Sequence, residues 1–330
     1  MKKYRIFTLF MLLLTLSLTG CKTRSNKTPK EGNRLRIAAA VFPAYDWTKN
    51  ILGENPGNAE LVLLNDSGVD MHSYQPSVDD ILTITNADLF IYVGGESDRW
   101  VSDALKQAAN PDIRIIKMLD TIGDAAKEEE LKEGMQNTEE EEAEEGEKEL
   151  DEHVWLSLRT ADIICGTISS ELSQLDPANA ETYKANADAY RAKLQDLDRT
   201  YQQALSEAPV HTLLFGDRFP FRYLTEDYDL DYYAAFSGCS AETEASFETI
   251  TFLAQKADEL SLPAVLTIDG SDHRIAETIV NNTKTRDLQV LTLDSMQSVS
   301  AKEIQNGVSY LAVMENDLEI LQKALGAEVN

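Results

Sequence analysis

Only four histidines occur in this 330-residue chain, and their settings differ. His72 lies in Gly68-Val-Asp-Met-His-Ser-Tyr-Gln-Pro-Ser, just after a short apolar run. His153 lies in Asp-Glu-His-Val-Trp-Leu, just after a run of acids. Both positions read as loops beside buried elements, and in open α/β sheets ligands bind beyond the carboxyl ends of strands. His211 starts a strand after Pro209, at the wrong end for such a site. His273 follows Asp272 in a strand-to-helix loop, where it could approach a cleft or stand exposed. Three carboxylates, Asp217, Asp269 and Asp294, each follow an apolar strand-like run in the second half. Neutral imidazole with carboxylate suits divalent Zn, Mn or Fe. Taken singly, each of these Asp residues also fits a helix N-cap.

Other chemistries lack their residues. No Gly-x-Ser-x-Gly elbow is present for a serine hydrolase. Gly94-Gly95 lacks the further glycines and the Lys of a phosphate loop. Neither Cys-x-x-Cys nor His-Glu-x-x-His occurs. The chain carries 57 acidic and 30 basic side chains, a net charge of -27, which argues against nucleic acid or an anionic membrane surface as the partner. Glu128 to Glu152 holds fourteen acids against Lys132 and Lys148, a net of -12 in one segment, which reads as a solvated loop.

The elements that must position these residues alternate. Leu35–Val41, Glu60–Leu64, Leu89–Val93 and Ile113–Met118 read as strands, with helical spacing over Asp46–Leu52, Val78–Ala87 and Trp100–Ala109 between them. A helix over Thr160–Leu175 follows His153–Leu158. Asp176-Pro177 then reads as the cap and first residue of a long helix. Its stripe is Tyr183, Ala187, Tyr190, Leu194, Leu197, Tyr201 and Leu205, about 28 residues or roughly 42 Å long. Beyond Pro209 the pattern restarts. Strands fall at Thr212–Phe215, Tyr232–Phe236, Ala264–Ile268 and Val290–Leu293. Helices fall at Phe221–Glu226, Phe247–Leu260, Ile275–Asn282 and Ile304–Leu325. The expected fold is α/β: two similar lobes (33–175 and 209–330), each a mostly parallel sheet flanked by helices, joined by a rigid helix at 176–208.

The first twenty residues read as an address. Lys2, Lys3 and Arg5 precede an apolar stretch too short to span a bilayer, ending in Leu18-Thr-Gly-Cys21. That ending resembles a bacterial lipobox, with Cys21 as the lipidated residue. Lys22–Gly32 reads as a flexible tether. The two remaining cysteines, Cys165 and Cys239, are expected as separate buried thiols, although export permits a disulfide.

Taken in order, the lipobox, Gly68 to Ser77, Ala87-Asp-Leu-Phe-Ile-Tyr-Val-Gly-Gly95, the acidic run ending in His153-Val-Trp-Leu156 and the central helix resemble the metal-receptor solute-binding lipoproteins of zinc and manganese ABC importers. The likeness covers nearly the whole mature chain. It implies two pseudo-symmetric lobes with the metal held between them, and histidine ligands at His72 and His153. The family's third ligand follows the first strand of the second lobe. Counting back from Phe221 reaches Arg218, which cannot bind a cation, and counting forward from the strand reaches Asp217, which is carried over. A fourth carboxylate maps onto Asp294. The implied metal is zinc, with manganese as the alternative. The implied protein is a lipid-anchored, extracytoplasmic monomer that docks on a membrane permease and is not an enzyme. Two other readings are carried beside it: a secreted zinc metallohydrolase with Glu152 or Asp272 as base, and an adhesin using the same fold.

Overall fold

The computed structural model describes residues 34–53, 59–136, 149–240 and 244–327. The signal segment, the lipobox with Cys21, the tether up to Gly32 and the middle of the acidic run (137–148) lie outside the described residues. Among the described residues no helix is long and apolar enough to cross a membrane.

The first lobe is a parallel sheet of β1 (Leu35–Ala39), β2 (Ala59–Leu63), β3 (Leu89–Tyr92) and β4 (Arg114–Lys117), in the order β2-β1-β3-β4. Helices α1 (Phe42–Leu52), α2 (Val78–Asn86), α3 (Val101–Lys106), α4 (Met118–Ile122) and α5 (Leu158–Leu175) surround it. A central strand buried on both faces has no polar side to show, so it reads as an unbroken apolar run. Leu89, Phe90 and Ile91 of β3 are fully buried in this way.

The second lobe repeats the plan. β5 (Thr212–Phe219), β6 (Asp231–Ser237), β7 (Ala264–Ile268) and β8 (Gln289–Leu293) form a parallel sheet in the order β6-β5-β7-β8, the same order of second, first, third, fourth. Its helices, preceded in the chain by the long α6 (Ala180–Ser206), are α7 (Arg222–Asp227), α8 (Phe247–Leu260), α9 (Arg274–Asn282), α10 (Ala301–Gln305) and α11 (Tyr310–Ala324).

The long helix buries the seven residues of the predicted stripe, but it starts at Ala180, so its 27 residues span about 40 Å. Asp176 instead ends α5, and its carboxylate accepts bonds from Asn179 (2.7 Å) and from the Tyr183 hydroxyl (2.9 Å). Asp-Pro is thus the turn between two antiparallel helices rather than the first turn of the second.

One apolar core runs through both lobes, with Trp47, Trp155, Tyr201, Phe215, Phe221 and Tyr310 among its buried members. Polar atoms buried in it find backbone partners across the lobes. Trp155 Nε1 donates to the Ser295 carbonyl at 2.9 Å, and the Tyr310 hydroxyl donates to the Trp155 carbonyl at 2.6 Å. Residues 34–330 accordingly form one compact unit.

β5 departs from expectation. It continues through Asp217 to Phe219, with a register irregularity between Phe215 and Arg218. Asp217 is therefore inside a strand rather than in the loop beyond it.

Candidate metal centre

His72 sits in a single helical turn, Met71–Ser73, beyond the carboxyl end of β2. Asp70 starts that turn, and its carboxylate accepts the His72 backbone N–H at 2.9 Å. His153 begins another single turn whose Val154, Trp155 and Leu156 are buried in the shared core. The chain leading to it is anchored by the two ends of the acidic run. Glu129 N donates to the Glu149 carbonyl and Asp151 N to the Lys127 carbonyl, both at 2.8 Å. Tyr223 of the second lobe seals this neck: its hydroxyl donates to the Asp151 carbonyl at 2.9 Å and accepts Lys127 N at 3.0 Å.

The two imidazoles converge. His72 Nε2 and His153 Nε2 are 3.1 Å apart. Two nitrogens held by one tetrahedral zinc ion, at about 2.05 Å each, would be roughly 3.3 Å apart. The opposite ring nitrogens are held from behind. His153 Nδ1 lies 2.9 Å from Asp151 Oδ1, which also accepts the His153 backbone N–H at 2.8 Å. His72 Nδ1 lies 2.8 Å from Ser97 Oγ and 3.6 Å from Glu152 Oε2. Carboxylates in this position fix the tautomer and orientation of a metal-binding imidazole. Glu152 is fully buried; its Oε1 accepts Ser97 N at 2.8 Å, and its Oε2 has no hydrogen bond. Gly95 makes room for it, since a Cβ there would sit 2.2 Å from Glu152 Oε1.

The surroundings split the two rings electrically. Burial, then the neighbouring His153 ring, push His72 down to about 3. Burial also disfavours a charged His153, but the charge and hydrogen bond of Asp151, with Glu129 and Glu152, outweigh it and raise His153. Two nitrogen lone pairs cannot face each other at 3.1 Å, so one proton lies between the rings. A divalent cation would take that proton's place.

The second lobe meets this pair in an unexpected way. Among the described residues, a metal ion could be held by His72, His153 and Cys239, whose ligand atoms all lie within 4.8 Å of one another. Cys239 follows β6, a strand away from the position where the third ligand was expected. Asp217 and Asp294 are not part of the set. The irregularity in β5 lies in its ladder to β6, and beside it Asp217 accepts Ile268 N of β7 (3.3 Å) together with Arg218 N (2.9 Å). Arg218 Nη2 reaches across to Asp70 Oδ2 at 2.5 Å. Burial raises Asp70, but that bond and the guanidinium charge outweigh it and hold the carboxyl low. Asp294 accepts Met296 N at 2.8 Å in a two-residue turn, and Asp269 accepts Ser295 N (2.7 Å) and Ser298 Oγ (2.8 Å). Asp269 and Asp294 thus cap loops, Asp217 is bonded within the sheet, and none of the three starts a helix.

His211 is exposed, and half-buried His273 lies 3.4 Å from Thr292 Oγ1. Neither joins the set. Of the two bases considered for a hydrolase, Glu152 backs His72, and exposed Asp272 is bonded to Arg274. Cys165 and Cys239 are both free thiols. Cys165 is packed in the core on α5, while Cys239 lies at the centre. The signal that could have singled out Cys239 was its place in Ser237-Gly-Cys-Ser240, directly after a strand whose carboxyl end faces the cleft.

Two four-stranded parallel lobes of one topology, with two imidazoles converging, one of them beyond the carboxyl end of β2, define a two-lobed binding protein with a metal-type site. The chain belongs to the ZnuA family, described as zinc-uptake complex component A, periplasmic, which matches residues 37–324. The zinc-binding lipoprotein AdcA of Streptococcus pneumoniae (strain ATCC BAA-255 / R6) is 30% identical over 329 residues, 98% of this chain and 62% of that protein. The high-affinity zinc uptake system protein ZnuA of Bacillus subtilis (strain 168) is 26% identical over 323 residues, 97% of each chain. The chain spans 60% of the length of the zinc-binding protein AdcA of Streptococcus pyogenes serotype M1. Among solved structures, the Zn(II)-bound ZnuA-like domain of Streptococcus pneumoniae AdcA superimposes with a TM-score of 0.69 at 27% identity, over 89% of this chain and 99% of that one.

Proposed function

We propose that this chain captures zinc outside the cytoplasm and delivers it to the membrane permease of an ABC importer. His72 and His153 serve as ligands, and Cys21 carries a lipid anchor. The observation that carries this reading is the pair of Nε2 atoms 3.1 Å apart, each imidazole backed by a buried carboxylate. Such a pair is oriented before the ion arrives, so little ordering is needed on binding. Names of relatives support zinc as the cargo and a lipoprotein as the form, and imidazole ligands suit zinc. The protein acts as a monomeric receptor rather than a hydrolase.

Native mass spectrometry of the purified chain after competition with zinc and manganese tests the reading. One tightly held zinc per chain is expected. Uptake of manganese in preference, or of no ion, would sink it. Fractionation of a Cys21→Ser variant tests the anchor: the variant should leave the membrane fraction.

A further inference from the structure

We propose that Cys239 is the ligand the second lobe contributes, and that its thiolate makes the site select zinc over manganese. This rests on the reading of His72 and His153 as ligands. The geometry starts from the three ligand atoms, which lie within 4.8 Å of one another. Around a tetrahedral zinc with bonds of about 2.05 Å to nitrogen and 2.3 Å to sulfur, nitrogen and sulfur lie roughly 3.6 Å apart. A closure of about 1 Å at most therefore completes the set.

The loop that carries Cys239 is built close to the imidazoles. A Cβ on Gly238 would sit 3.0 Å from His153 Cε1 and 2.9 Å from the Phe219 carbonyl, so this loop lies directly on the ring because Gly238 has no side chain. Glu129, from the neck of the acidic run, accepts the Cys239 backbone N–H at 3.2 Å. The acidic segment thus holds the second lobe's loop with Glu129 and the first lobe's His153 with Asp151. It does so from the two sides of one neck.

Among the described residues, the carboxylates expected as ligands in the second lobe are bonded elsewhere. Asp217 accepts Ile268 N and Arg218 N, Asp294 closes a turn, and Arg218 is paired to Asp70. A thiol next to two imidazoles binds a divalent ion by losing its proton to solvent. The resulting soft thiolate favours zinc, whereas manganese prefers carboxylate and water oxygen.

Cobalt(II) titration of the intact chain separates this proposal from the reading it rests on. The wild type should develop an intense near-ultraviolet thiolate-to-cobalt charge-transfer band. Cys239→Ser should lose the band, while Cys165→Ala keeps it. Zinc affinity should fall in Cys239→Ser by at least about 100-fold, beyond the roughly 10- to 100-fold of an outer-shell change, and the preference for zinc over manganese should narrow. A wild type that binds no metal overturns the receptor reading itself. A wild type that binds zinc and cobalt without the band, or a Cys239→Ser variant with unchanged affinity and preference, overturns the Cys239 assignment alone. Alkylation of the wild type by iodoacetamide gives a measurement that needs no variant. Zinc should protect Cys239 and magnesium should not; equal alkylation in both also overturns the assignment.

Discussion

The two lobes have one strand order and opposite habits at their strand ends. The first lobe points both histidines at a common spot and places buried acids behind them. The second lobe carries Asp217, Asp269 and Asp294 at the same edge, yet bonds each to its own backbone or hydroxyl groups. The difference teaches that the carboxyl edge of a parallel sheet offers a position for ligands without dictating which side chains take it. A carboxylate there has a competing partner in every loop N–H. An imidazole backed by a buried acid has been committed outward.

The comparison breaks most easily at His153. Its replacement by Ala should remove zinc binding by more than about 100-fold, beyond any outer-shell effect. It would also leave buried Asp151 without the imidazole it holds. Isothermal titration checks the first effect, and retained binding would mean the first lobe is not the ligand donor.

Gly95→Ala tests the backing layer alone. The added methyl would meet Glu152 first and displace it from Ser97 N and from His72. Zinc affinity should fall by roughly 10- to 100-fold, and an unchanged dissociation constant would show that Glu152 plays no part in orienting His72.

The second lobe is tested through pH. Burial, then the charge of Asp269, raise Asp294 to about 6. Asp317, buried beneath the same turn, and Glu303 also face it. The unfolded value is roughly 3.9, so the native state holds the proton more tightly. That contribution to stability is complete below pH ~4 and is lost as pH rises through about 6. Asp294→Asn should therefore be more stable than wild type at pH 7.5 by about 1–3 kcal/mol and match it near pH 4. Urea unfolding at the two pH values reads the difference, and an equal gain at both would remove Asp294's charge as its cause.

The smallest effect belongs to Asp217→Ala, which should leave zinc affinity within about 3-fold of wild type while costing about 1 kcal/mol for the lost backbone bonds. A loss near that of His153→Ala would make the second lobe a carboxylate donor after all.

Much of the plan was legible from local pattern. The central strands β3 and β7 announce themselves because a strand buried on both faces is uniformly apolar. The stripe of α6 did so because one side of a helix recurs every three or four residues. The helix start was missed because Asp176-Pro177 is a good helix opening in isolation. In the folded chain Asp176 is already occupied, closing α5 and holding Asn179 and Tyr183. The acidic run read as one solvated loop. Its described ends are fastened instead, with Tyr232 donating to Glu130 at 3.0 Å and Gln136 N to the Ala235 carbonyl at 2.9 Å. Charge composition reports an average preference for water and is silent about single partners across the chain.

By itself, the amino-acid sequence determined the α/β class and the repeated four-strand plan, because each depends on residues close together in the chain, and through a resemblance it brought His72 and His153 forward as candidates. Only the tertiary structure showed which side chains come together, His72 against His153 with Cys239 beside them. The sequence offered Asp217 as a ligand and Cys239 only as a buried thiol; in the fold Asp217 lies inside β5 and Cys239 directly follows β6. Asp217 is bonded to Ile268 N and Arg218 N, and a glycine, Gly238, lets the loop of Cys239 close over His153. Such choices depend on distances between segments remote in sequence, and those distances exist only once the sheets have formed and packed.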